Sequence, residues 1–107
     1  MKGNIMRKRM FECIDGKTLN ILNMRFEFSN ELILTVSSLV NDKELQIEFK
    51  NVSAFNIKNV CYPFYIYGFE IIDNQAKGWE KRVRYTIRDF EEGIISFYCQ
   101  EITILHE

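Results

Sequence analysis

A chain of 107 residues with 47% hydrophobic and 14% aromatic content has the length and material of one core-forming domain, which excludes disorder as its working state. Its 14 Lys and Arg nearly balance 15 Asp and Glu, and the net charge of -1 lacks the basic excess that a dedicated nucleic-acid binder carries. No apolar run approaches the roughly 20 residues of a membrane-spanning helix, and the basic start (Lys2, Arg7, Lys8, Arg9) leads into Met10-Phe11-Glu12-Cys13 rather than the apolar centre of a signal peptide.

Met24, Phe26 and Phe28 alternate with Arg25, Glu27 and Ser29, and after Asn30-Glu31 the alternation returns at Leu32, Leu34 and Val36. Period two on both sides of a polar break predicts a β-hairpin with one buried face. Leu45, Ile47 and Phe49, set between Glu44, Gln46, Glu48 and Lys50, form the clearest half-buried strand. The phase then slips at Asn51, because Val52 is the next apolar residue before Phe55 and Ile57 resume. A bulge or tight bend re-aims side chains in this way. A helix over Leu45, Phe49, Val52 and Phe55 also fits the spacing, but the Asn, Val, Ile and Phe content favours strand.

Tyr62 through Phe69 is apolar at nearly every position, as expected of a strand covered on both faces or a surface awaiting a partner, with Pro63 marking an edge or bulge. A short helix from Tyr65 to Ala76 is the alternative, which Gly68 weakens. A loop at Asp73 to Gly78 precedes a second hairpin, in which Val83, Tyr85 and Ile87 alternate with Arg82, Arg84, Thr86 and Arg88 before the chain turns into Ile95, Phe97 and Cys99. Ile102 and Ile104 stand on the other parity, so a second bulge is expected near Gln100-Glu101. About seven short strands in one domain over residues 1–107 predict an all-β fold, a twisted antiparallel sandwich or a partly closed barrel, with room for one short helix.

The chemistry is sparse. His106 is the sole histidine and lies beside the last residue, a poor position for a general base or a metal ligand. Five isolated glycines build no phosphate loop, and Asp73, Asp89, Glu91 and Glu92 flank turns, where turn chemistry accounts for them. No catalytic residue, metal or cofactor is expected. Three widely spaced cysteines, Cys13, Cys61 and Cys99, suit reduced and mostly buried thiols in the cytoplasm. The candidate partner-binding residues are Trp79 in the loop Gly-Trp-Glu-Lys-Arg together with Arg82, Arg84 and Arg88, read as projecting from one face of a single strand. Trp and Arg are the side chains most enriched among interface hot spots. The expected partner is another protein rather than nucleic acid or membrane, and an edge strand offers a route to a homo-oligomer. A different reading is a small-ligand-binding protein or enzyme that uses a cavity lined by the aromatic run.

The strings LQIEFKNVSAFNI (Leu45 to Ile57) and GWEKRVRYTIRDFEEGIISFYC (Gly78 to Cys99), with a terminal EITI, resemble small all-β proteins of Gram-positive bacteria. The nearest are YxiG-like proteins and the β-rich immunity proteins of polymorphic toxin systems, and the likeness covers most of the chain after Leu32. This resemblance implies a cytoplasmic, non-enzymatic protein that neutralises a toxin by binding it, and it carries over no functional residue.

Overall fold

In the computed structural model, which describes residues 11–29, 31–78 and 80–106, turn residues divide the chain into nine strands rather than about seven. These are β1 (Leu19–Phe28), β2 (Leu32–Val40), β3 (Lys43–Lys50), β4 (Ser53–Ile57), β5 (Phe64–Ile66), β6 (Phe69–Asp73), β7 (Tyr85–Asp89), β8 (Ile95–Cys99) and β9 (Glu101–His106). They form a five-stranded sheet in the order β5-β1-β2-β3-β9 and a four-stranded sheet in the order β4-β8-β7-β6. Every paired neighbour is antiparallel, and neither sheet closes on itself, so the fold is an all-β sandwich. Asn41 and Asp42, with φ of 54° and 65°, make the two-residue link between β2 and β3. That left-handed pair is the backbone a tight hairpin needs, and Asn and Asp tolerate it better than most residues.

Both phase slips in the sequence are places where the chain changes sheet. At Asn51, whose φ is 57°, it leaves β3 of the first sheet for β4 of the second, and at Gln100 it returns from β8 to β9. The two corners are bonded together: the Asn51 side-chain amide donates to Gln100 Oε1, and the Gln100 backbone N–H donates to the Lys50 carbonyl at 2.8 Å. Two further changes of sheet, between β4 and β5 and at Tyr67-Gly68 between β5 and β6, lie at the opposite end of the sandwich.

Leu34, Val36, Leu45, Ile47, Phe49 and Ile102 of the first sheet close on Tyr85, Ile87, Ile95, Phe97 and Cys99 of the second, all buried. Phe49 meets Phe97 edge to face at 5.0 Å between ring centroids. The expected alternation in β3 holds, with Leu45, Ile47 and Phe49 inside and Glu44 exposed. The turn from Phe11 to Asp15, closed by the Ile14 and Asp15 N–H groups on the Phe11 carbonyl, plugs the sandwich with fully buried Ile14, and the Phe11 ring lies edge-on to Tyr85.

Two expectations need correction. Met24, Phe26 and Phe28 do not all lie in the core: a register shift between Ile21 and Asn23 accompanies the inward turn of Leu19 and Ile21, Met24 only flanks the core, and Phe26 reaches the second sheet at its rim, edge-on to Phe55 of β4 at 5.0 Å. Phe26 is 37% exposed and Phe28 81% exposed. The run from Tyr62 to Phe69 is neither one strand covered on both faces nor a helix. It supplies β5 to one sheet and β6 to the other, with Phe64, Ile66 and Phe69 inward and Tyr62, Tyr65 and Tyr67 outward.

Phe49 therefore carries far more stability than its neighbour on the opposite face. Phe49→Ala should cost about 3 to 5 kcal/mol and Glu48→Ala within about 0.5 kcal/mol, as read from urea unfolding midpoints.

Candidate protein-interaction surfaces

The long connection between β6 and β7 is drawn closed at its neck by Asn74, which is fully buried. Its backbone N–H donates to the Arg84 carbonyl at 2.6 Å, and its side-chain amide donates to the Val83 carbonyl at 3.0 Å and to Thr86 Oγ1 at 2.8 Å. The Asn74–Arg84 bond carries the β6–β7 register one residue past Asp73↔Tyr85; beyond it the chain turns, with the Val83 and Arg84 N–H groups donating to the Glu80 and Lys81 carbonyls, so Lys81–Val83 forms a 3-10 turn and β7 begins only at Tyr85. Arg82, Arg84 and Arg88 consequently do not project from one face of one strand. Arg82 lies exposed in the 3-10 turn, Arg84 precedes the strand, and only Arg88 belongs to it.

Arg84 Nη2 lies 3.4 Å from Asp73 Oδ2, and its guanidinium sits 5.0 Å from the centre of the Tyr85 ring. Arg88 reaches across to Glu70 at 2.7 Å, directly opposite in the β6–β7 register. Both pairs are partly exposed and fix direction more than they add stability. Trp79 lies outside the described residues.

Beside this loop a cleft of about 290 Å³ runs between Lys81, Arg84, Gln100 and Glu101. A neighbouring cleft of about 380 Å³ lies between Leu32, Val52, Arg82 and Val83. Glu80 lines both, so the loop and the bonded corners share one end of the sandwich.

The opposite end carries an arc of aromatics, drawn mostly from the run whose pattern also suits a surface awaiting a partner. Tyr65 and Tyr67 stack at 5.6 Å, Tyr62 leans on Phe64 at 5.4 Å, and Tyr62, Tyr65, Tyr67 and Phe90 are each about half exposed. Phe90 is held by its backbone N–H to the Gly68 carbonyl at 2.9 Å, with its ring so near that a Cβ on Gly68 would stand 3.0 Å from it and 2.5 Å from Glu91 Cγ. The aromatic run thus divides between core and surface instead of converging on a cavity. The signal was present in the residue types: Tyr65 and Tyr67, with polar tips, alternate with Phe64 and Ile66.

The turn carboxylates have structural partners. Buried Asp89 accepts the backbone N–H groups of Glu91, Glu92 and Ile94 at 3.0, 3.4 and 3.1 Å, and Asp73 Oδ1 accepts that of Gln75 at 2.9 Å. Among the described residues no group of three or more His, Cys, Asp or Glu is placed to hold a metal ion, and no helix is long and apolar enough to cross a membrane. The cysteines differ from expectation: Cys13 and Cys61 are exposed because they sit in loops, and only Cys99 is buried.

Fold and surface together define a two-sheet antiparallel sandwich whose polar groups are largely engaged in turns and corners and whose ends present aromatic and charged side chains. The chain belongs to the family described as Immunity protein PIM8, whose model matches residues 9–105. No curated protein and no solved structure matches it.

Burial without a charged partner pushes the Cys99 thiol up to about 12. An acid whose pKa is raised by folding favours the folded state fully below its unfolded pKa of about 8.5, and that contribution is lost as pH climbs to the folded value. Subtracting the stability-versus-pH profile of Cys99→Ala from that of the wild type should leave a decline of roughly 1.4 kcal/mol per pH unit above about pH 9. Thiol reagents should modify Cys13 and Cys61 in the native protein and reach Cys99 only after unfolding.

Proposed function

We propose that this chain neutralises a toxin domain by binding it, without catalysis, in the cytoplasm. The observation that carries the reading is membership of an immunity-protein family across nearly the whole chain. Supporting it, the clefts beside the β6–β7 loop are lined by side chains suited to recognition, with Arg82 and Lys81 exposed around Glu80. Trp79, Arg82 and Arg84 form the contact surface in this reading. Arg82 pairs with partner carboxylates and Trp79 supplies apolar area, while Arg88, already engaged by Glu70, contributes at the margin.

The test is capture of a candidate toxin domain taken from the genes that flank this chain's own, co-expressed with it and purified through a tag on the candidate. Wild type should co-purify and protect the host. Trp79→Ala and Arg82→Ala, checked for folding by circular dichroism, should each weaken capture by about 2 kcal/mol, roughly thirtyfold. Loss of capture in Tyr65→Ala/Tyr67→Ala with Arg82→Ala unaffected would move the contact surface to the aromatic arc. A wild type that neither co-purifies nor protects would contradict neutralisation by binding.

A further inference from the structure

The two sheets have four outer strands, and three of their edges are blunted, each by a different device. The edge of β6 is taken up by the chain before β1: Gly16 N–H donates to the Phe69 carbonyl at 2.7 Å, Phe69 N–H to the Lys17 carbonyl at 3.3 Å, and Ile71 N–H to Asp15 Oδ1 at 2.9 Å. The edge of β4 is broken by Ala54, at a φ of 51°, and by a register shift between Ser53 and Asn56. β5 is only three residues long. Short, bulged or covered edges are the usual means of preventing sheet-to-sheet association.

β9 has none of these protections among the described residues. It pairs with β3 in unbroken register from Glu101↔Lys50 to His106↔Leu45, and its other edge carries no strand. Its sequence Glu-Ile-Thr-Ile-Leu-His holds no proline, and its one acidic residue, Glu101, already faces Lys50 at 3.9 Å. Leu105 is 44% exposed on the outer face.

We propose that β9 pairs antiparallel with β9 of a second copy of this chain, joining the two five-stranded sheets into one continuous sheet. A two-fold axis perpendicular to the sheet keeps outward side chains outward, so it must pass through a residue of β9 rather than between two. Centring it on Ile104 sets Ile104 against its own counterpart on the core side, where Ile104 is only partly covered in one chain. It also sets Thr103 of each chain opposite Leu105 of the other on the outer side, covering that exposed leucine. Centring on Thr103 would instead place charged Glu101 against Leu105 inside the ladder, whereas centring on Ile104 moves Glu101 to the outermost pair, opposite Glu107. The self-complementary register selects a second copy as the occupant, and the β6–β7 loop meets this edge only at its first residue, where Lys81 and Arg84 share a cleft with Glu101.

Analytical ultracentrifugation of the full chain at micromolar concentration should give twice the 12.8 kDa chain mass. Thr103→Lys/Leu105→Lys and Thr103→Glu/Leu105→Glu change only outward positions and should each be monomeric with unchanged circular dichroism. Mixed in equal amounts they should form a heterodimer, because each Lys then faces a Glu across the joint. A monomeric wild type, a wild-type dimer that both double variants retain, or variants that stay monomeric when mixed would each overturn the proposal.

Discussion

The hydrogen bond from the Asn51 amide to Gln100 joins the two places where the chain crosses between sheets at one end of the sandwich. Its own net contribution is modest, of the order of 1 kcal/mol for a typical hydrogen bond. Its consequence is geometric. With the corners after β3 and β8 fastened together, Phe49 at the end of one strand and Phe97 within the other are held face to edge, and the sheets are kept at a separation that side chains can fill. The left-handed backbone at Asn51, a conformation that Asn adopts more readily than most residues, is what lets a strand that has just ended in one sheet begin again in the other.

That constraint also arranges the surface. Fastened corners form the floor of the two clefts, and the β6–β7 loop, anchored by buried Asn74, lies above them with Glu80, Lys81 and Arg82 around the rims. At the other end the crossing at Tyr67-Gly68 turns the tyrosines outward and brings Phe90 over the glycine. Belonging to an immunity-protein family states the class of protein, while the sandwich shows where side chains remain available. The core takes up most of the aliphatic residues, the turns engage Asp73 and Asp89, and the ends present tyrosines and Phe90 on one side and lysine and arginine on the other.

Much of this was legible in the sequence where periodicity is local. β3 and the β7–β8 hairpin declare themselves through strict alternation, and the resemblance carried by Leu45 to Ile57 and Gly78 to Cys99 points to the family that matches residues 9–105. The phase slips at Asn51 and Gln100 were visible as well, yet parity records only that a strand has turned over and not which sheet it enters next. The arginines misled for a related reason. Arg82, Arg84 and Arg88 keep period two, but a hydrogen-bonding asparagine eight residues before Arg82 captures the backbone at Val83 and Arg84, and no window along the chain shows that closure. Apolar alternation marks the inward register of Phe26 and Phe28, whereas burial also depends on how much of the opposite sheet covers each: Phe26 meets Phe55 at the rim and stays 37% exposed, and Phe28 is 81% exposed.

Neutralisation by binding differs from neutralisation by chemistry in its stoichiometry, and this can be measured directly. Titrating the purified chain into a fixed amount of the toxin domain that it captures, well above their dissociation constant, should lower toxin activity in a straight line to an end point at one chain per toxin domain, unchanged by longer incubation. Inactivation that proceeds with time at a small fraction of one equivalent would mean turnover and would contradict a non-catalytic role, and activity that persists at full equivalence would contradict neutralisation itself.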